Sequence, residues 1–375
     1  MRSSKNTSRV VQITSVHNRY DTRIFHKISS SLANNGYDLH IIVADGLGSS
    51  NENNIKFIDV GLPQNRIFRI FITSFRILGK ATSLKASIYH FHDPELLFVG
   101  IFLRLLGKKV VYDIHEDTKN QILLKPYLHP VTSYFISKLF AIVEATSIKL
   151  FSGIVTATDK IYTNHSSHNK ISVCVKNYPI IEKLDDFDSE TSSSDIVYVG
   201  GLSPERGTYE LLESLSFLHD DIKLNICGKF FDSDFESKIK SHPNWKRVNF
   251  HGFVSKDKVL DIISSSFLGV VNLHPTPTYS VSLPVKLFEY MNLGLPVVCS
   301  NFPLWKNLFS DLNFSIFINP SEPEDIARAV NMLYKDINLR KKHSRNSRKA
   351  IVDLFNWDVE QDKLLNFYQS ILVCR

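Results

Sequence analysis

Four short stretches carry the residue types that could do chemistry. "YVGGLSPERG" (198–207) places two glycines and Arg206 at the end of an apolar run. Gly200 and Gly201 would let backbone N–H groups approach a ligand closely, and the next helix would point its positive end at the same place. That suits a diphosphate, although a tight strand-to-helix turn with a solvated arginine has the same spelling. "HPTPTYSVSLPVKLFEYMNLG" (274–294) sets Lys286 one helical turn before Glu289, among apolar residues. The pair reads either as an i, i+3 ion pair on a solvated face or as a carboxylate for a vicinal diol beside a lysine for phosphate. "HFHD" (90–93) and "YDIHED" (112–117) end two further runs with histidine and acid. The H-x-H of His90 and His92, with His115 and Asp93 or Asp113, could ligate a metal, or the strand ends could form a proton-handling, hydroxyl-binding acceptor pocket. His90 is read as structural. The loops "SVHNRYDTR", with His17, Asp21 and Arg23, and "ADGLGSS" would flank that pocket.

The elements that must position these residues alternate between short β-rich runs and amphipathic helical stretches, twice over. The first half offers strands at "VVQITSV", "LHIIVAD", "IKFIDV", "SIYHFHD", "KKVVYDIHE", "GIVTAT" and "SVCVKN". Helices begin near Thr22, Asn65, Pro94, Pro130 and Asp159. The polar, acidic, serine-rich segment 182–195 reads as a linker. Beyond it the alternation restarts with "IVYVGGL", "KLNICGK", "VNFHGFV", "LGVVNLHP", "LPVVCS" and "FSIFINP". Pro284 suits a first helical position and Gly294 a helix stop. The pattern predicts an α/β chain of two doubly wound Rossmann-like domains, with parallel sheets covered on both faces. Ligands of such sheets bind beyond the carboxyl ends of the strands, so an inter-domain cleft is the expected site.

Composition agrees with two domains. The chain has 375 residues with 43% hydrophobic and 22% charged content. Its four cysteines are scattered and mostly within apolar runs, which predicts reduced, buried thiols and a cytoplasmic location. The N-terminal residues contain no signal-peptide apolar run, and "LLFVGIFLRLLG" is too short to span a bilayer. Charge is uneven: residues 1–180 carry 22 Lys+Arg against 12 Asp+Glu, and the remainder 22 against 26. The basic half should face something anionic. Aromatic platforms and recognition-helix motifs are missing, which argues against nucleic acid. No G-x-G-x-x-G appears, which argues against a dehydrogenase.

Taken together, "SVHNRYDTRIFHKISSSLANNGYDLHIIVADG", "YDIHED", "YVGGLSPERG", "FHGFVSKDKVLDIISSS" and "SLPVKLFEYMNLGLPVV" resemble the retaining GT-B glycosyltransferases of the "group 1" (family 4) type. The similarity runs over nearly the whole chain and is strongest to the branch of bacterial surface-polysaccharide gene clusters. The resemblance implies a domain of residues 1–185 for the acceptor, one of 186–355 for a UDP- or GDP-sugar, and a helix of 356–375 crossing back to the first. It implies that Glu289 binds the donor ribose, that Arg206 holds the diphosphate, and that His115 lies by the transferred sugar. Gly200, Gly201, Gly228, Lys229, Gly252, Phe253, Ser282, Leu283 and Lys286 complete the expected donor site. His17, Asp21, Arg23, His92, Asp93 and Glu116 form the expected acceptor site. It further implies no metal and no cofactor, retention of configuration, and a glycan or lipid-linked acceptor.

Two departures stand out. The family often has a glutamate eight residues before the second one, where this chain has Val281, and an arginine after the "VG" pair, where it has Gly201. Ser280, Ser282 and Lys286 are the expected substitutes. The stretch "QNRIFRIFITSFRILGKATSLK", with Arg66, Arg69, Arg76, Lys80 and Lys85, reads either as a helix for the anionic inner face of the cytoplasmic membrane or as one packed on its own sheet. Two rival functions remain at this level: a metal-dependent hydrolase built on the first-domain histidines, and a non-catalytic nucleotide-sugar-binding subunit, suggested by Val281.

Overall fold

A computed structural model describes residues 8–123, 129–181 and 193–374. The chain divides into two compact units, Met1–Asn177 with Trp357–Arg375, and Tyr178–Asn356. Most of the expected linker lies outside the described residues.

The first unit holds eight strands: β1 (Arg9–Ile13), β2 (Asp38–Val43), β3 (Ser50–Glu52), β4 (Ile55–Asp59), β5 (Ile88–Phe91), β6 (Val110–Ile114), β7 (Gly153–Thr156) and β8 (Ser172–Cys174). Their order is β3-β4-β2-β1-β5-β6-β7-β8. All pair in parallel except the β3–β4 hairpin. Alternate residues of each strand feed two different cores. Val11, Ile42, Val110 and Ile154 lie on one face, and Val10, Ile41, Val111 and Val155 on the other. Burial on both faces is why these strands read as continuous apolar runs. The last helix, Trp357–Val373, covers the second face with Trp357, Leu364, Phe367 and Tyr368.

The second unit repeats the scheme with β9 (Ile196–Val199), β10 (Leu224–Cys227), β11 (Val248–Gly252), β12 (Leu268–Val271), β13 (Val297–Ser300) and β14 (Ser315–Ile318). Their order is β11-β10-β9-β12-β13-β14, wholly parallel. Val197, Val271, Val297 and Cys299 face one core; Ile196, Tyr198, Ile226 and Val298 face the other. The expected fold is therefore the observed one. The sequence reading omitted the short antiparallel strand β3 and a short helix, Thr118–Leu123. Cysteine burial was over-generalised: Cys227 and Cys299 are buried, Cys174 is half-buried and Cys374 is exposed.

One polar contact pins the last helix to its sheet. The Tyr368 hydroxyl accepts from Gln12 Nε2 at 3.0 Å and meets His90 Nδ1 at 2.6 Å, all three groups being buried. Tyr368→Phe strands both partners. It should cost about 1–3 kcal/mol, read as a lowered melting temperature with an unchanged circular dichroism spectrum.

Candidate functional site

Each sheet reverses its winding direction once. In the first unit the reversal falls between β1 and β5, and in the second between β9 and β12. Loops leaving such neighbours diverge and open a crevice at the strand ends. The sequence-predicted residues collect at these two places.

In the first unit the crevice is an acid–histidine cluster that is largely self-satisfied. Asp113, at the end of β6, takes a bidentate pair from Arg23: Nε at 2.8 Å and Nη2 at 2.7 Å. Arg23 Nη1 also donates to the Val175 carbonyl at 3.0 Å. His92 Nδ1 sits 2.9 Å from Asp113, and its Nε2 sits 2.8 Å from Gln12 Oε1. Asp93 accepts from Thr14 Oγ1 at 2.8 Å and from the Ser15 amide at 2.6 Å. Burial alone would raise the Asp113 carboxyl, but the charge and hydrogen bonds of Arg23, together with those of His92, outweigh it and hold the group well below the usual carboxylate range.

Arg23, His92 and Asp93 were expected on the acceptor side; the structure buries them and engages their polar atoms within the unit. His92 shares its face with His90, as a period of two requires. The same contacts bear on a metal. His90, His92 and Asp113 offer donor atoms within 4.8 Å of one another. Both His92 nitrogens and both Asp113 oxygens are already committed to partners within the unit, while His90 Nε2 is buried without a partner among the described residues.

What remains open is a histidine pair. His17 and His115 are half-buried, and Glu116 is exposed. Asp21 caps the helix Thr22–Ser29 by accepting from the Arg23 and Ile24 amides. Its other oxygen lies 3.4 Å from His17 Nδ1. His17 Nε2 lies 3.4 Å from Asp93 Oδ1 and 3.2 Å from His115 Nε2. The hydrogen bond to Asp21 raises the His17 pKa, with burial opposing and Asp93 adding to the rise. Burial lowers that of His115, with the Asp113 charge opposing. A charged His17 can share its Nε2 proton between Asp93 and neutral His115, which puts the His115 proton on Nδ1.

The second crevice has the opposite character, an excess of unpaired positive charge. Gly200 follows β9 with φ 131°, a conformation open to glycine. A Cβ at Gly228, after β10, would lie 1.8 Å from the Gly200 carbonyl oxygen, so the two loops touch backbone to backbone. A Cβ at Gly201 would meet the exposed Phe231 ring at 2.2 Å, so that ring packs directly on the glycine. Around Gly200 stand Arg206, from the turn Pro204–Arg206, and Lys286, from the helix Val285–Asn292; their nearest nitrogens lie 3.4 and 3.7 Å from a Gly200 Cβ position. Lys286 Nζ is buried without a hydrogen-bond partner among the described residues, 3.6 Å from the Tyr198 ring centroid. Burial pushes its pKa well below the usual lysine value; Arg206 adds to the fall, and Glu289 opposes it.

Glu289 is half-buried on the same helix, and burial raises its carboxyl against the pull of Lys256 and Lys286. Pro284 stands at the N-cap of this helix, one place before the expected position, and Gly294 ends it with φ 64°. The Ser282 carbonyl accepts from Trp305 Nε1 at 2.8 Å, and Leu283 packs on the core, so the loop before the helix is braced. Beside the crevice Lys229 lies 5.8 Å from the centroid of Phe231 and 5.9 Å from that of Phe253, with Gly252 at φ 68°. Phe231 and Phe253 are exposed at 65% and 84%, an unusual state for two neighbouring phenyl rings. Sequence reasoning missed Tyr198 and Phe231. Phe231 could have been found as an aromatic just after the "ICGK" strand end.

Residues 181–350 match the family model "Glycosyl transferases group 1". Among curated relatives, the chain is 22% identical over 303 residues to the uncharacterized glycosyltransferase MJ1607 of Methanocaldococcus jannaschii, covering 76% of this chain and 75% of that one. It is 28% identical over 134 residues to the putative teichuronic acid biosynthesis glycosyltransferase TuaC of Bacillus subtilis, covering 36% and 31%. Alignments to the curated relatives named here thus span between 31% and 75% of their length. The structure of Anabaena Alr3699/HepE in complex with UDP superimposes with a TM-score of 0.71 at 12% identity, over 96% of this chain and 100% of that one. The chain has a GT-B fold, and its residues 181–350 are similar to group 1 glycosyltransferases. The matched segment holds the cationic crevice of the second unit.

Two outcomes follow from the charge states. Because the folded-state pKa of His17 is raised, its contribution to stability is complete below the unfolded value near ~6.5 and fades as pH rises through the folded value. His17→Gln should remove that fall in melting temperature as pH rises above ~6.5. Lys286→Met deletes a buried cation that lacks a partner. It should stabilise the empty protein by on the order of 1 kcal/mol, while abolishing stabilisation by anionic ligands, both read by thermal unfolding.

Proposed function

We propose that the second unit binds a nucleoside-diphosphate sugar and that the enzyme transfers its sugar to a hydroxyl of a glycan or lipid-linked acceptor in surface-polysaccharide synthesis. The observation that carries the reading is Lys286: a buried lysine amine with no hydrogen-bond partner among the described residues, beside Arg206, at the switch point of a parallel sheet, whose charged form burial disfavours and an anion would restore. A buried cation of this kind is relieved by an anion. The half-buried Glu289 supplies a carboxylate for a ribose diol. Phe231 and Phe253 with Lys229 offer an apolar and cationic surface for a base. The UDP bound by the HepE structure and the teichuronic acid role in the name of TuaC support the donor class and the polysaccharide setting.

In the reaction the acceptor oxygen forms a bond to the anomeric carbon. The bond from that carbon to the diphosphate oxygen breaks, and its electron pair leaves with the diphosphate. Arg206 and Lys286 stabilise the developing charge. The acceptor proton passes to the leaving phosphate or to solvent. Front-face attack would retain configuration, and the two cations would take the place of a metal. His17 and His115 are assigned to the acceptor side, with His17 holding the His115 tautomer. The reading places the enzyme in the cytoplasm.

The test is thermal unfolding of the full chain with UDP, GDP and their sugars, with and without EDTA. One nucleotide should raise the melting temperature in EDTA, and Glu289→Ala should lower its affinity at least about tenfold. A shift that requires a divalent metal, or one that Glu289→Ala leaves intact, overturns the assignment.

A further inference from the structure

The helix Pro130–Leu150 is built inside out. Toward the protein it turns Ser133, Ser137, Glu144 and Ser147, with Ile148. Toward the outside it turns Val131, Tyr134, Phe135, Leu139, Ile142 and Val143; Phe135, Leu139 and Ile142 are each more than 60% exposed. A surface helix in water has the reverse arrangement. By length and composition alone this helix could cross a membrane. Its inner face, however, is tied to the unit: Ser137 Oγ donates to the Lys119 carbonyl at 2.9 Å, and Tyr112 donates to Glu144 at 3.1 Å. It lies along the unit's surface.

The apolar face continues onto two neighbours. Arg104 Nε donates to the Leu150 carbonyl at 2.8 Å and joins it to the helix Leu97–Leu105, which exposes Phe102 and Leu105. Phe98 of that helix meets Phe75 at a ring separation of 5.8 Å, bringing in the segment from Arg66 to Ser83 with Phe71 and Phe75 exposed. A patch of this extent marks an interaction surface. Its charge identifies the partner. Residues 66–91 and 97–112 contain no carboxylate, and the one acid of the long helix, Glu144, is buried. Arg66, Arg76, Lys80, Arg104, Lys138 and Lys149 supply the cations. Two copies of such a face would repel each other, whereas anionic headgroups neutralise it.

We infer that this three-helix face of the first unit docks onto an anionic lipid bilayer, with the helix Pro130–Leu150 lying flat in the interface and its large apolar side chains below the headgroups. The inference rests on the proposed function only for what the membrane presents, a lipid-linked acceptor.

The experiment is co-sedimentation of the purified full chain with vesicles of phosphatidylcholine alone and of phosphatidylcholine with phosphatidylglycerol. Wild type should bind the anionic vesicles and be released by salt. Phe135→Gln with Leu139→Gln should lower partitioning at least about tenfold. Lys80→Glu with Lys138→Glu should lower it about tenfold on anionic vesicles only. These side chains are outward-facing, so both variants should keep the wild-type melting temperature and the nucleotide-induced shift, which separates this surface from the donor site. Absence of binding to anionic vesicles overturns the inference, as does binding that the Phe135/Leu139 variant leaves unchanged. A lipid-free wild-type dimer that the same variant dissociates would make the face an interface between copies.

Discussion

The constraint on which the rest depends is the reversal of winding direction inside each parallel sheet. Parallel strands end on one side, and the loops leaving two adjacent strands diverge only where the chain changes direction. Loops after β1 and β5 therefore open one crevice, and loops after β9 and β12 open another. Several polar residues with unusual electrostatic states near strand ends are set by that geometry. Asp93 and His17 follow from the first reversal, and Gly200, Arg206 and Lys286 from the second.

The two crevices solve the burial problem in opposite ways. In the first unit Asp113 is compensated so fully by Arg23 and His92 that the cluster has little left to offer a ligand. Its function is to hold geometry, and its open edge is confined to His17 and His115. In the second unit the cost of burying Lys286 is left uncompensated. Native proteins seldom retain a buried charge without a partner, and that deficit is what the proposed donor site rests on.

The same reasoning applies to apolar surface. The two sheets bury their faces thoroughly, and the apolar side chains left over are concentrated on adjoining helices of one unit. Exposed phenyl rings beside Lys229 are a smaller instance in the second unit. Both are costs in water that binding removes.

The sequence by itself determined the alternation of strands and helices, the two-domain scheme, the strand ends at which chemistry should be sought, and the residues Arg206, Lys286 and Glu289. Those follow from local periodicity and from turn chemistry, which neighbouring residues decide. Only the tertiary structure decided which polar groups are already partnered. Arg23 and Asp113 lie 90 positions apart in the chain, and no local pattern announces their pairing. His92 reads as a ligand until Gln12 and Asp113 are seen to occupy both its nitrogens. Likewise, the spacing of apolar residues in 130–150 gives the helix and its stripe but not the side that faces the protein, since both orientations have the same periodicity. Partner identity is a property of packing between distant segments, and that is why folding had to supply it.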